Sequence, residues 1–119
     1  MEGVAFGLRR VLDELARLAP VAEPLTLVGG GANSPLWRQI YADVFGRCVA
    51  RATIGQQAAA LGAALVAGVG AGVWDDFSIL DSISRADADA TPNAEAAGDY
   101  VRRYARWRAL TDKLGEWTR

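Results

Sequence analysis

No histidine occurs among the 119 residues, and there is one cysteine, Cys48. Without imidazole, Ser-His-Asp and Cys-His catalysis are excluded, and the usual zinc sets cannot be assembled. A lone thiol cannot close an internal disulfide. Cys48 falls in a segment that reads as a strand, where inert packing is its expected role rather than redox or nucleophilic work. An excess of one charge is missing too: 13 basic against 14 acidic side chains leave a formal net charge of −1. That balance gives no electrostatic footprint for nucleic acid as a partner. Charge is absent altogether from Ala58 to Trp74, yet this run falls short of the ~20 apolar residues that a bilayer core requires. Gln56-Gln57 and Asp75-Asp76 flank it without basic asymmetry. The expectation is a buried helix and no membrane partner. The first residues lack an apolar signal segment, so cytoplasm is the expected compartment.

What is present describes a small globular unit, 51% hydrophobic and 23% charged, with room for one modest core. Val4, Leu8, Val11, Leu12, Leu15 and Leu18 recur at helical spacing. No Ser, Thr, Asp or Asn caps the start of that helix, which suggests part of a longer one. Leu25 to Val28 reads as a buried strand. Ser34 as N-cap and Pro35 at the first helical position open a second helix, with Leu36, Ile40 and Val44, and Trp37 as a further candidate, as its buried stripe and Gly46 as its stop. Arg47 to Ala52 contains a second short strand. Gln56 to about Ala71 is a third helix, whose small face (Ala59, Gly62, Ala63, Val66, Gly70) would let it lie close to a sheet. Asp81 to Asn93 reads as loop or one short strand. Glu95 to Trp117 is the last helix, with Tyr100, Tyr104, Trp107, Leu110 or Thr111, Leu114 and Trp117 along one side. The arginines near that stripe do not interleave with it, so it reads as a docking helix rather than a nucleic-acid surface. Asp75, Asp76, Asp81, Asp87 and Asp89 have no ligand spacing and read as solvated. No metal ligand is identified.

The most informative segment is Leu25-Thr-Leu-Val-Gly-Gly-Gly-Ala-Asn-Ser-Pro-Leu-Trp-Arg38. A strand, three glycines and a helix N-terminus can bring backbone N–H groups against a nucleotide or phosphate. Glycine permits close approach and positive φ. The same glycines also suit a tight strand-to-helix turn, and both readings stand. Ser34 likewise serves as a cap or as a ligand contact. Trp37 and Arg38 admit a stacking and phosphate role. The favoured reading has Trp37 packed on the first helix and Arg38 solvated or paired with Asp43.

Gly29-Gly30-Gly31-Ala32-x-Ser34-Pro35-Leu36-Trp37-Arg38-Gln39-Ile40-x-Ala42-Asp43-Val44 resembles the adenosine-binding segment of the FGGY carbohydrate kinases, most closely the xylulokinases. Glu2 to Arg9 resembles the helix before it, Ala58 to Val73 the helix after it, and Thr91-Pro92-Asn93 through Tyr100, Tyr104 and Trp107 the closing helix. Gln57 departs from a glutamate common in the family. The resemblance implies an α/β chain in the order α-β-α-β-α-α with two short parallel strands, a partial ribonuclease-H-like (actin-like ATPase) domain. Residues 1–92 would form its core and 93–117 a closing helix. It implies ATP as ligand, with Mg in the intact enzyme, and Gly30, Gly31, Asn33 and Ser34 as the nucleotide contacts. Gly29 and Ala32 would shape the turn.

The Asp-x-Gly-Thr phosphate loop, most sugar contacts and the catalytic aspartate belong to a part of the family pattern not matched here. No catalytic residue is therefore assigned, and the chain alone is expected to be inactive. The intact enzyme would phosphorylate a sugar, D-xylulose by resemblance. An N-terminal kinase portion would be its partner, or else self-association through an open strand edge. Two strands do not make a self-sufficient sheet, and the first and third helices would show apolar faces. Two other readings stay open: a non-catalytic kinase-like interaction protein, and a Rossmann-type module built on Gly29-x-Gly31-x-x-Ser34 with Arg51.

Overall fold

A computed structural model describes residues 1–117, leaving out the side chains of Gln56, Asp87, Ala88, Asp89, Glu116 and Trp117. The elements are α1 (Glu2–Leu18), β1 (Leu25–Leu27), α2 (Pro35–Phe45), β2 (Val49–Ala52), α3 (Ala58–Gly70), α4 (Ile79–Ile83), β3 (Ala86–Ala90) and α5 (Ala94–Trp117). Two 3-10 turns, Gly30–Asn33 and Gly55–Gln57, stand before α2 and α3. β1 and β2 run parallel, Leu25 opposite Val49, joined by the α2 crossover. β3 pairs antiparallel with the other edge of β2. The strand is thus the form taken by the stretch read as loop or strand. It places β2 in the middle of a three-stranded sheet. The short α4 was not expected.

Several element ends follow from local chemistry. Pro35 occupies the start of α2, and Ser34 Oγ accepts from Trp37 N at 3.4 Å. At the other end Gly46 takes φ 65°, a left-handed stop that costs glycine little. Its N–H donates to Ala42 O at 2.8 Å. α1 has no side-chain cap.

α2 lies between the two halves of the core. On one side Val44 meets Ala5, Phe6 and Tyr104, bringing α1 and α5 together. On the other, Ala42 packs with Val49 and Ala90 of the sheet. Phe6 sits among Tyr100, Tyr104 and Trp107, with ring centroids 5.9 to 6.3 Å away. Burying such a ring stabilises the fold by about 1.5–3 kcal/mol. Asp43 is a buried carboxylate, and it accepts from Asn93 N at 2.7 Å and Gln39 Nε2 at 2.9 Å. The start of α5 is thereby tied to α2.

Four expected placements are corrected. Leu36 is 60% exposed and takes no part in the buried stripe of α2, which is carried by Val44 with Ile40. β1 is less buried than expected: Leu25 and Leu27 are half-buried, Thr26 is exposed, and Val28 is exposed just beyond it. α3 is largely exposed, with Leu65 its one buried residue among those described. It touches mainly the preceding turn, while α2 lies against β2 and β3, so the apolar face of α3 is open, as Val66 shows. In α5, Leu110 and Leu114 are exposed, while Tyr100, Tyr104 and Trp107 face α1. The Trp117 side chain lies outside the described residues, as do those of Asp87 and Asp89.

The apolar stripe of α1 is open as expected: Val4, Leu8, Val11 and Leu15 are exposed. With Leu25 and Leu27 of β1 it forms an apolar groove. No helix among the described residues is long and apolar enough to cross a membrane.

Candidate functional site

The glycine segment forms a short platform where β1 ends. Gly29 has φ 86° and ψ −179°, a region open essentially to glycine alone. It turns the chain out of the strand and lets its N–H donate to Gly55 O at 3.3 Å. Ala32 N donates to Gly29 O and Ser34 N to Gly31 O, both at 3.1 Å, which winds residues 30–33 into a 3-10 turn. Only the Ala32 methyl is buried, at 2% exposure. Gly30, Gly31 and Asn33 face solvent, and Ser34 is half-buried. All four sequence-predicted contacts therefore lie on one continuous turn at the N-terminus of α2.

Gly30 and Gly31 have no internal reason to be glycine. Neither has positive φ, and a Cβ built on either meets nothing within 4 Å. Gly29 is different, since its φ accounts for it. A turn whose exposed residues lack side chains presents bare backbone to whatever lies above it. The helix N-terminus beneath adds a partial positive charge. Ser34 Oγ accepts from α2 as cap, which leaves its own hydrogen to donate outward.

Two further features come from tertiary structure. The Gly55–Gln57 turn, at the end of β2, stands beside the glycine turn because parallel pairing brings both strand ends to one edge. Gly55 has φ 49°. Arg38 Nη1 donates to Ala32 O at 2.6 Å. Arg38 thus bonds the turn rather than Asp43, whose Oδ1 accepts from Gln39 and Asn93. Trp37 stacks on Tyr41 with centroids 5.3 Å apart, one helical turn on, rather than on α1. Spacing gives no signal for the Gly55 turn. For Arg38, the one sequence hint is its position one turn into the helix that follows the glycines. Among the described residues, no three His, Cys, Asp or Glu gather as a metal site would need.

Comparisons with known proteins agree on the family. The profile of the FGGY family of carbohydrate kinases, C-terminal domain, matches residues 1–71. A glycerol kinase of Rhodopirellula baltica is 36% identical over 118 residues, covering 98% of this chain and 22% of its own length. An autoinducer-2 kinase of Salmonella paratyphi B is 37% identical over 101 residues, or 83% and 19%. Among solved structures, the xylulose kinase of Rhodospirillum rubrum superposes with TM-score 0.71 at 29% identity, over 98% of this chain and 24% of that one. The ligand-bound xylulose kinase of Lactobacillus acidophilus gives 0.70 at 25%. The chain thus spans 19 to 24% of the length of these relatives. The Rossmann alternative falls, since the same strand-turn-helix sits here in a sugar-kinase fold. The chain belongs to the FGGY family of carbohydrate kinases and carries part of its C-terminal, actin-like ATPase domain.

Proposed function

We propose that this unit is the adenosine wall of an ATP-dependent sugar kinase, with residues 1–92 as core and 93–117 as closing helix. Gly30, Gly31, Asn33 and Ser34 lie along the nucleoside, Gly29 and Ala32 set the turn, and D-xylulose is the sugar. The observation that carries the reading is the pair Gly30 and Gly31: exposed, free of positive φ, and with open space where a side chain would stand. Their bareness serves something outside the chain. The two solved xylulose kinases support the choice of sugar, and a substrate screen across xylulose, glycerol and autoinducer-2 is the way to decide it.

In this reading the intact enzyme moves the γ-phosphoryl of Mg-ATP to a sugar hydroxyl. That chemistry needs positioning, charge neutralisation and a group that orients the attacking hydroxyl. The residues of this chain serve the first need only. Backbone and hydroxyl groups of the turn orient adenosine. Mg2+ would accompany ATP, and the described residues do not fit it. The chain by itself is expected to release no ADP from ATP and D-xylulose. Turnover above a mock preparation would overturn that assignment.

Binding is tested on the 119-residue chain by titrating the 15N-labelled protein with ATP and following amide shifts. One open wall gives little enclosure, so weak binding is expected. Shifts should centre on residues 29–34 and Gly55. Gly31→Val should abolish them while keeping the fold, since its Cβ enters open space. No response at 29–34, or an unchanged response in Gly31→Val, would leave only a structural turn.

A further inference from the structure

We infer that Arg38 is a positioning residue for the glycine turn, holding its backbone in the shape that receives the nucleoside. The inference rests on the adenosine-wall reading and adds to it a residue that touches no ligand. The turn poses a physical problem. Gly30 and Gly31 carry the highest backbone entropy of any residues and have no neighbour within 4 Å of where a side chain would sit. The turn's own bonds reach the carbonyls of Gly29 and Gly31. Something must hold the remainder.

Arg38 supplies that hold. It starts one turn inside α2, anchored by its N–H to Ser34 O at 3.1 Å. Its guanidinium reaches back six residues, where Nη1 donates to Ala32 O at 2.6 Å. Ala32 is the one residue of the turn whose side chain is buried. Methyl below and guanidinium at the carbonyl fix a single peptide between Gly31 and Asn33. A cationic donor makes a stronger bond than a neutral one, and the planar group of arginine loses little freedom in forming it. The turn is then shaped before the ligand arrives, which raises affinity without a new ligand contact. The side chains of Trp37, stacked on Tyr41, and Gln39, bonded to Asp43, lie on either side of Arg38 and are turned to those partners.

The test compares the wild-type chain with Arg38→Met, which keeps length and loses every donor, and with Arg38→Lys, which keeps the charge and a donating ammonium but loses the planar guanidinium. ATP affinity from amide shifts, thermal midpoint and amide hydrogen exchange are measured on all three. Arg38→Met should weaken ATP binding about tenfold, equivalent to ~1.4 kcal/mol, with the thermal midpoint little changed. Exchange at residues 30–34 should quicken while α5 keeps its protection. Arg38→Lys should recover part of both. ATP binding and exchange equal to wild type in Arg38→Met would overturn the inference. Should Arg38→Met fail to fold, Arg38→Lys decides: wild-type affinity and wild-type exchange there would defeat the role of the guanidinium. The exchange arm needs no ligand, so it judges Arg38 separately. A wild-type chain silent to ATP at 29–34 would instead overturn the adenosine reading.

Discussion

Tyr104 donates its hydroxyl hydrogen to Asp13 Oδ2 at 2.8 Å, joining α5 to α1 across 91 residues of sequence. The ring beneath that bond is 6% exposed and lies under Arg9, whose guanidinium carbon is 4.5 Å from its centroid. Burial and the Asp13 carboxylate both hold the phenol's pKa above its ordinary value. Tyr104→Phe should cost about 0.5–1.5 kcal/mol, the net worth of one hydrogen bond, read as a lower thermal midpoint.

Trp107 tests the packing side of the same contact. It is half-buried, stacks with Tyr104 at 6.2 Å and lies tilted against Phe6 at 6.1 Å. Trp107→Ala should cost about 2 kcal/mol, below the ~3–5 of a fully buried tryptophan. Unchanged thermal stability would show that α5 is not a docking helix.

The three glycines should separate by mutation. Gly29→Ala forces a methyl onto φ 86° and should destabilise by about 1–3 kcal/mol. Gly30→Ala and Gly31→Ala meet neither strain nor neighbours and should be neutral or slightly stabilising. Equal losses at all three positions would show that the turn is glycine-rich for internal reasons. Chemical denaturation of the purified variants is the measurement.

An acid-side loss of stability should trace to Glu2. Arg103 donates to it, with Nη1 to Oε1 at 2.8 Å, and that bond lowers the Glu2 pKa from 4.5, with Tyr100 adding a second donor. The unfolded chain takes up this proton first. The stabilisation is therefore complete above pH 4.5 and lost as pH falls through the lower folded value. Glu2→Gln should be less stable than wild type at neutral pH, with the gap closing in acid. A gap that does not narrow as the pH falls would assign the effect to shape rather than charge.

The free edge of β1 predicts association. Its outer side has no partner strand among the described residues, and apolar side chains of α1 lie beside it, which makes a template for edge pairing. Light scattering should show mass rising with concentration, and Thr26→Lys, at an exposed edge position, should suppress the rise. A compact monomer at high concentration would mean that the edge protects itself.

Features written in local chemistry were legible in the sequence. Ser34-Pro35 and Gly46 bound α2 because capping and left-handed turns depend on the residue in place. The glycine turn was legible for the same reason. β3 was half legible: Ala86-Asp-Ala-Asp-Ala90 is poor in strand formers, and it is extended because β2 offers it a ladder. Leu36 shows the opposite failure, apolar at helical spacing yet turned to solvent. The reach of Arg38 to Ala32 and the approach of Gly55 to Gly29 depend on three-dimensional placement, which periodicity does not encode.

The aromatic setting of Phe6 carries a consequence for how the chain is made. Its aromatic neighbours Tyr100, Tyr104 and Trp107 all belong to α5, more than ninety residues along the chain, while its other contacts come from α2. The sheet can assemble earlier, from segments close together in sequence. The contact between α1 and α5 closes the longest loop in the molecule, and loop closure of that kind slows folding. α1 can dock on α2 early, but the aromatic setting of Phe6 is complete only once α5 has closed over it.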